Sequence, residues 1–346
     1  DQLEILSERA LTTNIRGEEK MKKWSLLTLV FALFLVLGAC GSKDSGKEDS
    51  NSGSKKETIT VTNDFGIQNE DGSSDSVKDE VKVPKNPKKV VAYDMGFLDT
   101  LDTLGVKIAG VPQDSIPTYL KKYEGSEYEN VGSLKEPDFE KLATIAPDVI
   151  FISGRQASLY KEFSEIAPTV YVGLDTANYI DSFKKNTELA GQIFDKEDQV
   201  KDELSKIDDT IAKVQGETKD LDKKSLIILG SEGKISAYGP ASRFGLIHDV
   251  FGFKAADEGI EVSTHGQNVS YEYVLEKNPD IIFVVDRDAV VAEGASAKKD
   301  IENDIVKKTT AYKESKIIYL NPEVWYLSGG GLQSVAEMAK EVESAL

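Results

Sequence analysis

The sequence predicts an α/β fold of two lobes, each built on a central, mainly parallel sheet, the two joined by a long rigid helix. Three observations carry that expectation. Short β-branched runs alternate with longer helical patterns, one helix–turn–strand unit recurs at a fixed offset, and a long proline-free stretch lies between the two copies. From Lys89 onward, residues 90–93, 149–152, 170–172, 226–229, 281–285 and 317–320 read as strands. Residues 179–214 contain no proline, and Phe183, Leu189, Ile193, Val200, Leu204, Ile207, Ile211 and Val214 recur mostly at helical spacing. One or two long helices there form a spine between the lobes.

The repeat makes the second lobe explicit. Residues 140–151 match residues 272–283, with Pro147-Asp148 falling on Pro279-Asp280 (279 − 147 = 132), each unit reading as a helix, a Pro-Asp turn and a buried strand. The same offset pairs Arg155 with Arg287, each just beyond the end of its strand. Ligands of open α/β sheets sit at the carboxyl ends of parallel strands, so each lobe is expected to offer one arginine to a cleft between them.

Composition narrows the function. A net charge of −18 with no basic stripe argues against nucleic acid as a partner. The single cysteine, Cys40, leaves no disulfide, and nothing after the first 39 residues is long and uncharged enough to span a bilayer. Catalytic constellations are thin. There is no Gly-x-Ser-x-Gly elbow, no His-x-x-x-His and no cysteine pair, so no enzyme activity and no intrinsic cofactor is expected.

Arginine is scarce: beyond position 40 only Arg155, Arg243 and Arg287 occur, against dozens of lysines. Solvated surfaces of this chain use lysine, so an arginine marks a place where a weakly hydrated planar fork holds an anion. Arg243 lies in the turn-rich segment 238–245, which opens a helix whose start also favours negative charge. The plainer reading is that each arginine pairs with an acid, such as Asp286 or Asp288 beside Arg287. Of the two histidines, His248 falls in an apolar helical run and reads as structural, whereas His265 sits in the polar loop 263–268, where function is favoured. Trp325 and Tyr326 precede Gly329-Gly330-Gly331, a run without the Gly-Lys-Ser/Thr ending of a phosphate cradle. It reads as a close approach that presents the two aromatics to a ligand, with core packing as the rival for Trp325 above all.

The N-terminal region reads as an export signal. Met21-Lys22-Lys23, an apolar run over 24–36 and Leu37-Gly38-Ala39-Cys40 give a basic start, an apolar core too short to span and a small-residue cleavage site. This resembles the lipobox of bacterial lipoproteins, in which the cysteine is diacylated, and two acyl chains make a stable anchor. Residues 41–57, mostly Ser, Gly, Lys, Asp, Glu and Asn, cannot bury a core and read as a tether. The expected organisation is an upstream extension over 1–20, a lipoprotein signal over 21–39, a flexible tether over 40–57, an N-terminal lobe over 58–178, a linking helix over 179–215 and a C-terminal lobe over 216–346.

Together with the lipobox, residues 84–91, 132–138, 239–245 and 325–331 carry a likeness that covers nearly the whole exported chain. The sequence is similar to the substrate-binding lipoproteins of iron–siderophore ABC transporters. The resemblance implies a class III periplasmic-binding-protein-like fold and a ferric catecholate-type siderophore, petrobactin or a close relative, as ligand. It implies an arginine triad at Arg155, Arg243 and Arg287, with His265 and Tyr326 filling iron sites that a tetradentate ligand leaves open. It further implies docking on the permease through one glutamate per lobe, Glu140 and Glu272 by the repeat, with Glu136 as a rival. The expected protein is a monomer, lipid-anchored at Cys40 on the extracellular face of the cell membrane. Alternatives are a binding protein of the same fold for haem or cobalamin, and an extracellular hydrolase using Ser263 or Ser328 with His265.

Residues 16–20 can be back-translated as a purine-rich ribosome-binding site read in frame, which places the natural start at Met21. N-terminal sequencing of the native precursor should begin there, and a start upstream overturns it.

Overall fold

The computed structural model describes residues 57–346 apart from positions 70 and 293. The upstream extension, the signal, Cys40 and nearly all of the tether lie outside the described residues. The N-terminal lobe comprises β1 (Thr58–Gln68), β2 (Ser74–Pro84), β3 (Val90–Ala92), α1 (Met95–Thr103), β4 (Gly110–Val111), β5 (Glu129–Asn130), α2 (Phe139–Ile145), β6 (Val149–Ile152), α3 (Tyr160–Ile166) and β7 (Thr169–Tyr171). Its sheet is entirely parallel, in the order β5-β4-β3-β6-β7.

The β1–β2 hairpin is an addition to the expected strands. It pairs only with itself, and Val61, Asn63 and Phe65 of β1 point alternately into the lobe. Asn63 closes the outer edge of β7 as another strand would: its Nδ2 donates to the Thr169 carbonyl at 2.9 Å and its Oδ1 accepts from Tyr171 N at 2.9 Å. An edge strand is thereby satisfied by one side-chain amide. Phe65 stacks on Tyr171 with centroids 4.0 Å apart.

The expected linking segment is two helices. α4 (Tyr179–Phe194) stops where Asp195 turns left-handed at φ 52°, and α5 (Glu197–Thr218) continues in a new direction. The C-terminal lobe follows as β8 (Lys224–Ser231), β9 (Lys234–Tyr238), α6 (Leu246–Asp249), β10 (Lys254–Ala255), β11 (Gln267–Val269), α7 (Tyr271–Lys277), β12 (Ile281–Asp286), α8 (Asp288–Val291), α9 (Lys298–Ile301), α10 (Thr310–Lys313), β13 (Ile317–Leu320) and α11 (Leu332–Glu343). Its sheet runs β11-β9-β8-β12-β13, with β10 beside the start of β8 and only β9 antiparallel to its neighbours. Among the described residues no helix is long and apolar enough to cross a membrane.

The repeat is visible in its caps. Asp138 accepts from Lys141 N to open α2, and Ser270 accepts from Tyr273 N to open α7. Both helices end left-handed, at Ala146 and Asn278, before the Pro-Asp pair. Asp148 and Asp280 then accept backbone N–H groups at Lys89 and Lys224, tying each helix end to the start of the neighbouring strand.

One apolar core runs through both lobes, drawing on Leu98, Phe183, Ile211, Phe283 and Met338. The lobes are also joined by a buried carboxylate. α11 begins at Gly331, which has no side chain to cap it, and Asp99 from the middle of α1 supplies the cap, Oδ1 accepting from Gln333 N at 2.9 Å and Oδ2 from Ser334 N at 2.8 Å. The glycines make room: a Cβ on Gly96 would lie 2.2 Å from the Gly329 carbonyl, and one on Gly331 would lie 2.3 Å from the Asp99 carboxylate. The glycine run therefore serves a backbone contact with α1.

Asp99→Ala should remove a cap, at about 0.5–2 kcal/mol, and leave buried N–H groups unpaired, at about 1–3 kcal/mol more, measured by denaturant unfolding. Burial pushes the Asp99 carboxyl up to about 6, against the pull of its backbone partners. The folded state thus binds this proton more tightly than the unfolded chain, whose value is near 3.9. The linked stability is present at low pH and is lost as pH rises through about 6. Asp99→Asn should flatten that part of the stability curve relative to the parent.

Candidate functional site

Each arginine of interest is set by a turn at the end of a strand. Arg155 follows β6, where Gln156 is buried, accepts from Ser153 N at 3.1 Å and donates to the Leu134 carbonyl at 2.7 Å, fixing the turn. Arg287 follows β12 and its own N–H donates to the Gly230 carbonyl at 3.0 Å. Arg243 lies in a knot of backbone in which Ala241 is left-handed and a Cβ on Gly245 would meet the Gly239 carbonyl at 2.8 Å. The helix after it, α6, is a single turn, so a helix dipole adds little there.

The three guanidinium groups converge on one residue. Arg155 from the N-terminal lobe and Arg243 from the C-terminal lobe both donate to the Tyr326 carbonyl, at 3.0 and 2.8 Å. Arg287 Nε donates to the Tyr326 phenol oxygen at 2.9 Å, and its Nη1 donates to Ser231 Oγ at 2.8 Å. The carbons of the three guanidiniums stand 6.0, 4.4 and 5.8 Å from the Tyr326 ring centre.

Among the described residues no acid forms an ion pair with them, although Asp94 feels the Arg155 charge and Glu232 and Asp288 act on Arg287 from farther off. Among the described residues every ion pair is made by a lysine. The carboxylates that the sequence offered as partners are committed to backbone instead. Asp286 accepts from Ala297 N and Ser296 Oγ, and Asp288 accepts from Glu232 N. Asp249, which the sequence did not single out, likewise accepts from Ala241 N. Most of the guanidinium N–H donors are left for an incoming group.

The electrostatics follow from the geometry. Burial pushes the Tyr326 phenol up, but the Arg287 hydrogen bond and the three positive charges outweigh it and hold the phenol below its ordinary value. Burial and the nearby Arg155 charge lower Arg243, while the bond to Tyr326 raises Arg287. Such a site suits a compact polyanion with planar oxygen pairs.

The other candidates fall elsewhere. Trp325 is in the core at 3% exposure, its indole N–H donating to Glu341 at 2.7 Å, which corrects the expectation that the glycine run turns it toward a ligand. His265 is exposed on its loop, whose Gly266 packs against Tyr238, and among the described residues no hydrogen bond joins it to Tyr326 or to the arginines. His248 is structural, Nδ1 lying 2.8 Å from the Phe253 carbonyl. Glu140 and Glu272 are exposed in the first turns of α2 and α7. Among the described residues no cluster of three or more His, Cys, Asp or Glu side chains is arranged to hold a metal ion. The Tyr326 carbonyl and Ser231 were not readable as site groups, because a backbone acceptor and a lone serine carry no sequence signal.

Residues 90–324 match the family described as periplasmic binding protein. The chain is 51% identical to the petrobactin-binding protein YclQ of Bacillus subtilis, over 94% of this chain and 99% of that one. It is 32% identical to the ferric-anguibactin-binding protein FatB of Vibrio anguillarum, over 73% of this chain and 80% of that one. The crystal structure of YclQ superposes with a TM-score of 0.77 at 53% identity, covering 84% of this chain and 99% of that one. The catecholate-siderophore-binding protein VctP of Vibrio cholerae gives a TM-score of 0.73 at 31% identity, covering 83% of this chain and 100% of that one.

In an ultraviolet difference titration, the earliest-ionising tyrosine of the protein should disappear in Tyr326→Phe. An unchanged first step would show that the arginines do not act on this phenol.

Proposed function

The chain belongs to the periplasmic binding protein family, and from that premise we propose that it captures a ferric catecholate-type siderophore, petrobactin or a close relative, at the arginine triad and passes it to an ABC permease. The observation that carries this reading is the convergence of three arginines, without a carboxylate partner, on one tyrosine across the lobe boundary. A ferric tris-catecholate is a compact trianion, and each guanidinium contact with it is worth on the order of 4 kcal/mol at an effective dielectric near 20, before desolvation is subtracted. The acids that make the chain −18 overall are screened beyond about 8 Å at physiological salt.

Tyr326, with its depressed phenol, is suited to supply a phenolate oxygen to iron that a tetradentate ligand leaves open, and His265 is the imidazole available for a second such position, from the exposed loop 263–268. Trp325, buried next to Tyr326, is a fluorescence reporter close to the site. The protein acts as a monomer, anchored by diacylated Cys40 on the extracellular face of the membrane. Glu140 and Glu272, at equivalent places in the two lobes, dock on the permease, and replacing both with alanine should abolish uptake while sparing binding.

Titration with ferric petrobactin, read by tryptophan fluorescence, should show sub-micromolar quenching. The Arg155, Arg243 and Arg287 triple alanine variant should bind more weakly by at least about a thousandfold, since each charge-assisted contact contributes about 1.5–3 kcal/mol. Equal affinity of parent and variant overturns the triad as the site. Absence of binding to ferric petrobactin and ferric enterobactin overturns the ligand class.

A further inference from the structure

Tyr326 lies in a five-residue π-turn, residues 323–327, closed by Ser328 N donating to the Glu323 carbonyl at 3.0 Å. Such turns are uncommon and cluster at functional sites. Both ends of this one are gripped by two consecutive residues of the other lobe. Thr118 donates from its N–H at 3.0 Å and from its hydroxyl at 2.6 Å to the Glu323 carboxylate, and the Tyr119 hydroxyl lies between Ser328 Oγ at 2.8 Å and the Asp99 carboxylate at 3.2 Å. Ser328 Oγ in turn donates to the Glu323 carbonyl at 3.0 Å, so both grips reach Glu323, the residue whose carbonyl closes the turn.

We propose that Thr118 and Tyr119 form a clamp that holds the 323–328 turn in π register and so sets the Tyr326 carbonyl between Arg155 and Arg243. They and Glu323 are positioning residues for anion capture, and this role rests on the reading of the triad given above. The physical need is plain. Arg155 and Arg243 repel each other, and the carbonyl dipole that both share offsets that repulsion only where the turn places it. Released from the clamp, the turn is free to relax to the commoner α register, which carries the carbonyl away and lets the N-terminal arginine separate from its C-terminal partner.

The test uses the full chain and ferric petrobactin. Glu323→Ala combined with Tyr119→Phe should weaken binding about tenfold, the loss of one charge-assisted contact, whereas Thr118→Ser, which keeps both donors, should bind as the parent does. In an Arg155→Ala background the clamp substitutions should cost clearly less affinity than in the parent, because one of the two guanidiniums that the carbonyl holds together is gone. Fold-losses that simply multiply across that cycle would mark a general structural effect and overturn the proposal. Should Glu323→Ala fail to fold, Thr118→Val against Thr118→Ser decides the same point, and equal affinity of the two overturns it. If the parent binds neither ferric petrobactin nor ferric enterobactin, the ligand reading fails by itself, and the clamp is judged without ligand. The near-ultraviolet circular dichroism of Trp325, which lies in the same turn, should then differ between parent and clamp variant, and an unchanged spectrum refutes the clamp.

Discussion

The buried carboxylate of Asp99 is the interaction on which the arrangement of this molecule depends. A helix that starts at a glycine leaves its first N–H groups without a local partner, and at α11 those groups are inside the protein. The acceptor comes from a helix more than two hundred residues earlier in the chain and in the other lobe. That bond forms only because Gly96 and Gly331 let two backbones approach to distances that any side chain would block. The segment between β13 and α11 is consequently fixed from both lobes, and it is the segment that carries Tyr326.

Charge is divided between residue types with different tasks. Lysines answer the many surface acids, in pairs that are mostly solvated and individually weak. The acids nearest the arginines are held by backbone N–H groups, which satisfies them without touching the guanidiniums. A strongly acidic chain can in this way present a local positive site, because the relevant field at the site is set by the nearest groups and distant charges are screened.

The ligand-free arrangement is a form of pre-organisation. Three like charges within reach of one ring would separate if nothing lay between them, and the Tyr326 carbonyl and phenol supply the intervening negative ends of dipoles. The cost of assembling the cations is thereby met during folding, so less of it falls on binding. Because Arg155 and Arg243 belong to different lobes, the shared carbonyl also couples the lobes at the site itself.

By itself the sequence determined the two-lobed α/β fold, the repeat with its Pro-Asp turns, the placement of Arg155 and Arg287 just past equivalent strands, and the scarcity that set three arginines apart. Periodicity and spacing are local properties of a chain, so they can be read before it folds. The structure alone decided which acceptor each group took. Asp286 and Asp288 beside Arg287 were equally plausible partners in the sequence, and they turned instead to Ala297 and Glu232 N–H groups. The glycine run read as a platform for Trp325 and proved to be the close approach that caps α11, with the indole in the core. The β1–β2 hairpin escaped the strand pattern because β2 is mostly polar and exposed, and β4 and β5 are too short to carry a period. These outcomes depend on contacts between residues far apart in the chain, made only when both lobes are assembled, and no local pattern records them.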